Sequence, residues 1–407
     1  MNFNLLTEAK GYMNELTDIR RKLHRCAGTG FDLSDTLAIV REQLQKLGIP
    51  YEKCGKAGLT ATVTGKNPGK VFLLRADMDA LPIKEESGED FAAENGNMHA
   101  CGHDIHTAML LGAAKLIKAH EDTLCGTVKF MFQPAEEILA GAKDMLENGL
   151  LADPKPDAAM MIHVMAGMPF PAGTAITSAP GISAPAADFF EIHVQGVGCH
   201  GSMPNTGIDP LSAAAHIVIA LQELHARELA ISDQAALTIG TFHAGTAANA
   251  IPDTAVLCGS MRALDEEVRA YLKKRLEEIA VGITSAFRAK ATVTFTSSCP
   301  TLYNDPTLAD ETARYMKELL GETGAFSVPE LAAKFGGTGT KVSGSEDFAY
   351  VSRAVPSIMV ALAAGNPAEG YTHPLHHPQV RFDESAMPAG AAAYAYTAMR
   401  WLSEHND

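Results

Sequence analysis

Short apolar runs of strand length alternate with helical periodicities from Thr36 to His163, and that rhythm limits the fold more than any other feature. A helix over about Thr36–Lys46 leads into a strand near Leu59–Gly65, and Lys70–Ala76 (KVFLLRA) is an apolar strand ending at Asp77-Met78-Asp79. Asp104 stands where an N-cap would start a helix running to about Ala119. Val128–Gln133 reads as a strand, Pro134–Asn148 as a helix stopped by Gly149, and Ala158–His163 as a strand again. The first 25 residues read as one amphipathic helix ending near Arg25. Such alternation predicts an α/β fold: a mixed, mostly parallel sheet with helices on both faces.

After Ala179–Pro185 the rhythm changes. A strand (Asp188–Gln195), a helix (Asp209–Glu228), two strands (Ala236–His243, Thr254–Arg262), a helix (Glu266–Phe287) and a strand (Ala291–Ser297) follow in order. This β-α-β-β-α-β order is the split βαβ, ferredoxin-like α+β arrangement. The chain then returns to a strand over Pro356–Leu362 and a helix over Met387–Ser403. The expected organisation is a discontinuous domain, 1–182 and 298–407, interrupted by a smaller inserted domain, 183–297.

Charge and cysteine content narrow the function. With a net charge of -15 and no basic run, the 407-residue chain offers no surface for phosphates, so nucleic acid is not an expected partner. No run of about 18 apolar residues exists to span a bilayer. The N-terminus lacks a charged start followed by an apolar stretch, and the seven cysteines are odd in number, so reduced thiols in a cytoplasmic protein are expected.

In open α/β sheets, ligands bind outside the carboxyl ends of the strands. Asp77 and Asp79 follow one strand, Glu136 and Glu137 another, and His163 ends a third; a loop after the last strand carries His373, His376 and His377. The densest cluster is Met98-His-Ala-Cys-Gly-His-Asp104, where Cys101 and His103 are one residue apart at a helix start. A thiolate, imidazoles and a carboxylate at such spacing suit a metal ion better than a buried core cysteine. Adjacent Glu136 and Glu137 read either as a solvated helix face or as one metal ligand beside one general base. His163 alone reads more readily as a hydrogen-bonded core residue than as a ligand, and Cys199-His200 reads equally as a simple loop.

Together these segments resemble the M20 metallopeptidase family in its amidohydrolase branch, which holds aminoacylases, hippurate hydrolases and auxin-conjugate hydrolases. The matching segments are RADMDALP (Arg75–Pro82), MHACGHD (Met98–Asp104), FQPAEE (Phe132–Glu137), His163, GCHGSMP (Gly198–Pro204), NAIP (Asn249–Pro252), GSEDF (Gly344–Phe348) and LHHP (Leu375–Pro378). The resemblance implies two divalent metal ions per subunit (Zn, Mn, Co or Ni) held by Cys101, His103, Glu137, His163 and His376, with Cys101 bridging. It implies Glu136 as general base on metal-activated water and Asp79 as the residue that orients a ligand histidine. His200 would stabilise the oxyanion from the inserted lid, while Asn249 and Arg262 would hold the substrate carboxylate; a strand-end surface charge is the other reading of Arg262.

The implied activity is hydrolysis of the amide bond of a small N-acyl amino acid. A dipeptidase or aminopeptidase acting on short peptides, and a non-catalytic binding protein, are the alternatives. The implied assembly is a homodimer, or a tetramer, formed through the lid. The chain departs from the family after Leu23-His24: where the family has Pro-Glu, it has Ala27-Gly28, a change expected to reshape the acyl side of the pocket.

Overall fold

The computed structural model describes residues 4–336 and 344–406, and these divide into two compact units. One unit runs to Ser183 and takes up again from Tyr303, apart from Gly344 and Ser345; the other is Ala184–Leu302 with those two residues.

The first unit is built on an eight-stranded sheet. Four of its pairings are parallel: Asn67–Asp77 with Cys125–Gln133 and with Ala158–Met165, Ala158–Met165 with Ser357–Ala363, and Ala175–Thr177 with Ala325–Ser327. The edge strand Tyr51–Cys54 pairs antiparallel with Gly58–Thr64, which pairs antiparallel with Cys125–Gln133, and Ser357–Ala363 pairs antiparallel with Ala175–Thr177. Successive residues on a strand face opposite sides. Phe72, Leu74, Ala76, Phe130 and Phe132 thus point into one large core, shared with the helices His103–Ala119 and Met387–Glu404, which pack on each other and on the sheet. Leu73, Arg75, Asp77, Met131 and Gln133 take the alternate positions and are buried as well, which explains why these strands read as continuous apolar runs rather than alternating ones.

Several expected elements are shorter or broken. The N-terminal helix is two, Leu5–Gly11 and Met13–Arg25, separated at Tyr12. The helix expected over Pro134–Asn148 forms only at Gly141–Glu147, because 134–140 is a tight turn with Ala135 and Leu139 at φ 55° and 54°. Asp104 caps nothing. Gly102, left-handed at φ 86°, precedes the helix, and Asp104 lies inside the first turn with its carboxylate bound by Arg20 and His24. A side chain at 102 would also approach Val164 to 2.5 Å, so the turn beside Cys101 requires glycine.

The second unit has a four-stranded antiparallel sheet in which Lys290–Cys299 and Thr254–Ala263 flank Ala186–Gln195 and Ala235–Ala244 lies outermost. Its core joins Phe190, Ile192, Val194 and Leu257 to Ile217 and Leu276 of the helices Pro210–Ala220 and Glu266–Ala286. The first helix stops at Ala220, and a π turn at Leu224–Glu228 occupies the rest of the expected span. Asp188 is buried and accepts from Arg269 (2.6 and 2.9 Å), Lys273 (2.8 Å) and Ser298 (2.6 Å). Burial opposes its charge, but these donors prevail and hold its pKa below the ordinary value. Asp188 therefore stabilises this unit above the unfolded carboxyl pKa, and the contribution is lost as pH falls through the folded value. Asp188→Ala should cost about 3–5 kcal/mol in denaturant unfolding at neutral pH, since it leaves Lys273 without its carboxylate and Arg269 with Glu266 alone beside a buried gap; a loss below 1 kcal/mol would contradict that account. Among the described residues no helix is long and apolar enough to cross a membrane.

Candidate metal centre

The carboxyl ends of the parallel strands deliver the donors. Asp77 ends one strand, the 134–140 turn follows the next, and His163 lies near the end of a third. Cys101 Sγ is 3.5 Å from His163 Nε2 and 3.3 Å from His376 Nε2. His376 Nε2 is 3.5 Å from one Glu137 oxygen, and His103 Nε2 is 3.8 Å from the other. The donors form two overlapping triads, Cys101–His103–His163 and Cys101–Glu137–His376, whose atoms lie within 4.8 Å of one another. Cys101 belongs to both. His103 Nε2 and Glu137 Oε1 are buried and have no hydrogen-bond partner, although buried polar atoms are nearly always paired. Cations accepting these lone pairs would satisfy both atoms, so the residues present fit a metal centre.

The candidate donors are held from behind. His103 Nδ1 donates to the Asp79 carbonyl (2.8 Å), and His163 Nδ1 donates to the Val164 carbonyl (2.8 Å), which turns each Nε2 into the cluster, where His103 Nε2 also lies 3.3 Å from the Asp77 carboxylate. The Asp79 carboxylate is farther from His103, at 3.7 Å, and accepts instead from the amides of Glu136 (2.9 Å) and Glu137 (3.2 Å). Asp79 thus orients the His103 ring through its main chain and fixes the Glu136–Glu137 turn through its side chain. Those amide bonds, with Leu139 N donating to the Glu136 carbonyl (2.7 Å), explain why the segment is a turn and not a helix. His376 is held at φ 66°. Of the four non-glycine residues with positive φ among the described residues, Ala135, Leu139 and His376 flank the centre. Conformations of this kind persist where the surroundings over-determine them.

Burial pushes the Cys101 thiol far above its ordinary range and lifts the Glu137 carboxyl to about 7, against the opposing charge of His103. Glu136 is raised well above its usual value by burial first, then by Glu346, Glu137 and Asp347. Burial disfavours a charged His103, but Asp77 and Cys101 outweigh it and raise its pKa well above the usual value. Burial lowers His163 and His376. Bound cations would reverse the position of the thiol and the carboxyls and release protons on loading.

Sequence reading passed over three supports. His106, one helical turn after His103 and on the same face, donates from Nδ1 to Asp77 (2.6 Å) and accepts the Val164 amide at Nε2 (2.8 Å). Arg75 is fully buried and binds Asp77 (2.9 Å), Glu346 (2.7 Å) and the Gln133 side chain (2.8 Å). Glu346 and Asp347 bring carboxylate oxygens close to Glu136. A charged residue inside an apolar strand was the available signal for Arg75. The departure at Ala27-Gly28 also has a local cause: a side chain at 28 would come 2.2 Å from the Asp32 carbonyl, and Asn95 and Asn97 both donate to the Ala27 carbonyl.

The remaining expected residues lie in the second unit. His200 and Asn249 are neighbours there: the short strands Cys199–His200 and Ala250–Ile251 pair, and Gly201 N donates to the Asn249 carbonyl (2.8 Å). His200 Nδ1 accepts the Ser202 amide (3.1 Å), so the neutral ring carries its proton on Nε2. Arg262, on Thr254–Ala263, stacks over Phe189 and keeps a buried Nη1 with no acceptor.

Residues 73–400 match the model of peptidase family M20/M25/M40. The chain is 33% identical over 395 residues to the N-acetyl-L-cysteine deacetylase of Bacillus subtilis (strain 168), covering 97% of this chain and 89% of that protein. It is 35% identical over 398 residues to an IAA-amino acid hydrolase of Arabidopsis thaliana, ILR1-like 2 (96% and 85%). It is 34% identical over 413 residues to thermostable carboxypeptidase 1 of Saccharolobus solfataricus (98% and 100%). Among solved structures, a dinuclear metal binding peptidase of the M20 family from Bacillus subtilis superposes with a TM-score of 0.77 at 31% identity, covering 97% of this chain and 99% of that one.

Proposed function

This chain belongs to peptidase family M20/M25/M40, and from that premise we propose that it is a metal-dependent amidohydrolase releasing the amino acid from an N-acyl amino acid. The observation that carries the reading is the pair of donor triads sharing Cys101, with the Glu136 carboxyl beside them. The relatives support the substrate class. Deacetylation of an N-acyl amino acid and removal of a C-terminal residue both break an amide whose amine side carries a free α-carboxylate. The carboxypeptidase relatives keep a peptidase reading as the second choice.

In this reading Cys101, His103, Glu137, His163 and His376 hold two divalent cations, Zn, Mn, Co or Ni. When bound, the cations lower the pKa of water and stabilise negative charge on oxygen. Glu136 takes the proton of the attacking water and returns it to the departing nitrogen. Its near-enclosure and the acidic neighbours behind it favour a carboxyl that both accepts and gives back a proton. Asp79 is a positioning residue that holds the Glu136 amide and the His103 ring.

His200 donates from Nε2 to the carbonyl oxygen as charge develops there, a role supported by its tautomer. Arg262, with its unclaimed buried Nη1, and Asn249 take the substrate carboxylate. The second unit, close to the 183–297 span expected from sequence, serves as lid and as the surface of a homodimer or tetramer. The long edge strands Ala235–Ala244 and Lys290–Cys299 support pairing with a second copy. We place the protein in the cytoplasm, in keeping with its free cysteines.

The test is a hydrolysis screen of N-acetyl, N-benzoyl and long-chain acyl amino acids beside dipeptides, with Zn, Mn and Co each added to apo protein. Cleavage of an acyl amino acid, abolished by chelator, is expected. Cleavage confined to dipeptides would transfer the assignment to a peptidase, and cleavage of nothing would support a binding protein. His200→Ala should lower kcat by about 100-fold or more with a smaller change in KM; an unchanged kcat would leave the lid histidine no part in stabilising charge.

A further inference from the structure

We propose that His24, on the helix Met13–Arg25, is a positioning residue that keeps the His376 loop in register with the Cys101–His103 turn and so maintains the second donor triad. The proposal rests on the reading of these donors as a cation site. His376 is the weakly held member of the set: its side chain is 52% exposed, its φ is positive, and its loop has no regular secondary structure. Two backbone hydrogen bonds fix that loop. His376 N donates to the Ala100 carbonyl (2.9 Å), and Glu86 N donates to the Pro378 carbonyl (2.8 Å). The first partner is next to Cys101. The second lies on the irregular segment between Leu81 and Met98, whose ends are joined by paired backbone hydrogen bonds.

His24 ties these two supports together. Its Nδ1 meets Asp104 at 2.8 Å, one residue beyond His103, and its Nε2 meets Glu85 at 3.0 Å, one residue before Glu86. Both carboxylates are almost fully buried. With a carboxylate on each ring nitrogen, the ring donates both ways and cancels charge that would otherwise drive Glu85 from Asp104. Glu85 is held further by the Ala93 amide (2.8 Å) and by the Ser87 hydroxyl. Arg20 braces Asp104 from the same helix (2.8 Å) and continues to Glu384 (2.9 Å). Without the imidazolium, two buried carboxylates face each other, Glu85 must move toward water, and Glu86 carries the His376 loop with it.

The test is titration of apo wild-type, His24→Gln and Glu85→Gln with Co2+ alone, following the thiolate-to-cobalt absorption and the calorimetric stoichiometry, with kcat and KM measured alongside. We expect both variants to bind the tighter ion as wild type does, to bind the weaker ion about 10–100-fold less tightly, and to lose kcat rather than gain KM. Glu85→Gln keeps the shape of the side chain but removes the charge that holds it to the His24 ring, so it loosens the same link and carries the test if His24→Gln fails to fold. Wild-type affinity for both ions in a folded variant would overturn the proposal. A wild-type protein that takes up no Co2+ at a thiolate would overturn the metal-centre reading itself, so the two failures are distinct.

Discussion

Glu136→Gln is expected to keep both metal ions and to lose kcat by about 100- to 10,000-fold, the range over which a positioned proton acceptor contributes. The amide keeps the shape of the side chain and cannot take a proton from water. Metal content should not change, because the proposed donors are Cys101, His103, Glu137, His163 and His376, and Glu136 is assigned to the water. Stability should hold or rise, because Glu136 lies buried close to Glu346 and Asp347 and its charge is disfavoured there. Steady-state kinetics with elemental analysis on the same preparation reads both quantities. A variant with near wild-type kcat would end the assignment of Glu136 as base. One that loses metal together with activity would reassign it as a ligand.

Cys101→Ala should have the largest effect on metal content. The two triads overlap only at this sulfur, so its loss breaks both and leaves His103, Glu136 and Glu137 as the grouped donors at the centre. One such group can hold at most one ion, and bound metal should fall from two ions per chain to one or fewer. Cys101→Asp is the informative companion, since a carboxylate also bridges cations and should recover part of the loss. Equal occupancy in wild type and Cys101→Ala would remove the sulfur from the centre. Loading should also tighten as pH rises, because the thiol and Glu137 both hold protons that the ions must displace.

What could be read from sequence, and what could not, follows the range of the interactions concerned. Lys70–Ala76 and Ala158–His163 are legible because strands buried on both faces must be apolar throughout, and the β-α-β-β-α-β order of the second unit is legible because its turns are local. The segment after Gln133 was not. Local propensity makes Pro134–Asn148 a helix, and the Asp79 carboxylate, more than fifty residues earlier, draws the Glu136 and Glu137 amides into a turn instead. Asp104 failed in the same way. An acidic residue at a helix start is ordinarily a cap, but here Arg20 and His24 claim it from another helix.

Metal-ligand residue types clustered at strand ends pointed to the site without any contact information. The residues behind them, Arg75, His106 and Glu346, act through partners distant in the chain. Only Arg75 announced itself, as a charge inside an apolar run.

The strand Ser357–Ala363 is inserted between Ala158–Met165 and Ala175–Thr177, and His376 follows it on the same closing segment. A ribosome that has made the first three hundred residues therefore holds a chain with a slot open in its main sheet and one of the five proposed donors unmade. On the proposed assignment, such a nascent chain lacks a complete centre, and removal of the C-terminal segment should abolish activity without touching Glu136. Closure of the main sheet and assembly of the donor cluster thus both wait on the same late strand and the loop after it, a consequence of chain order alone.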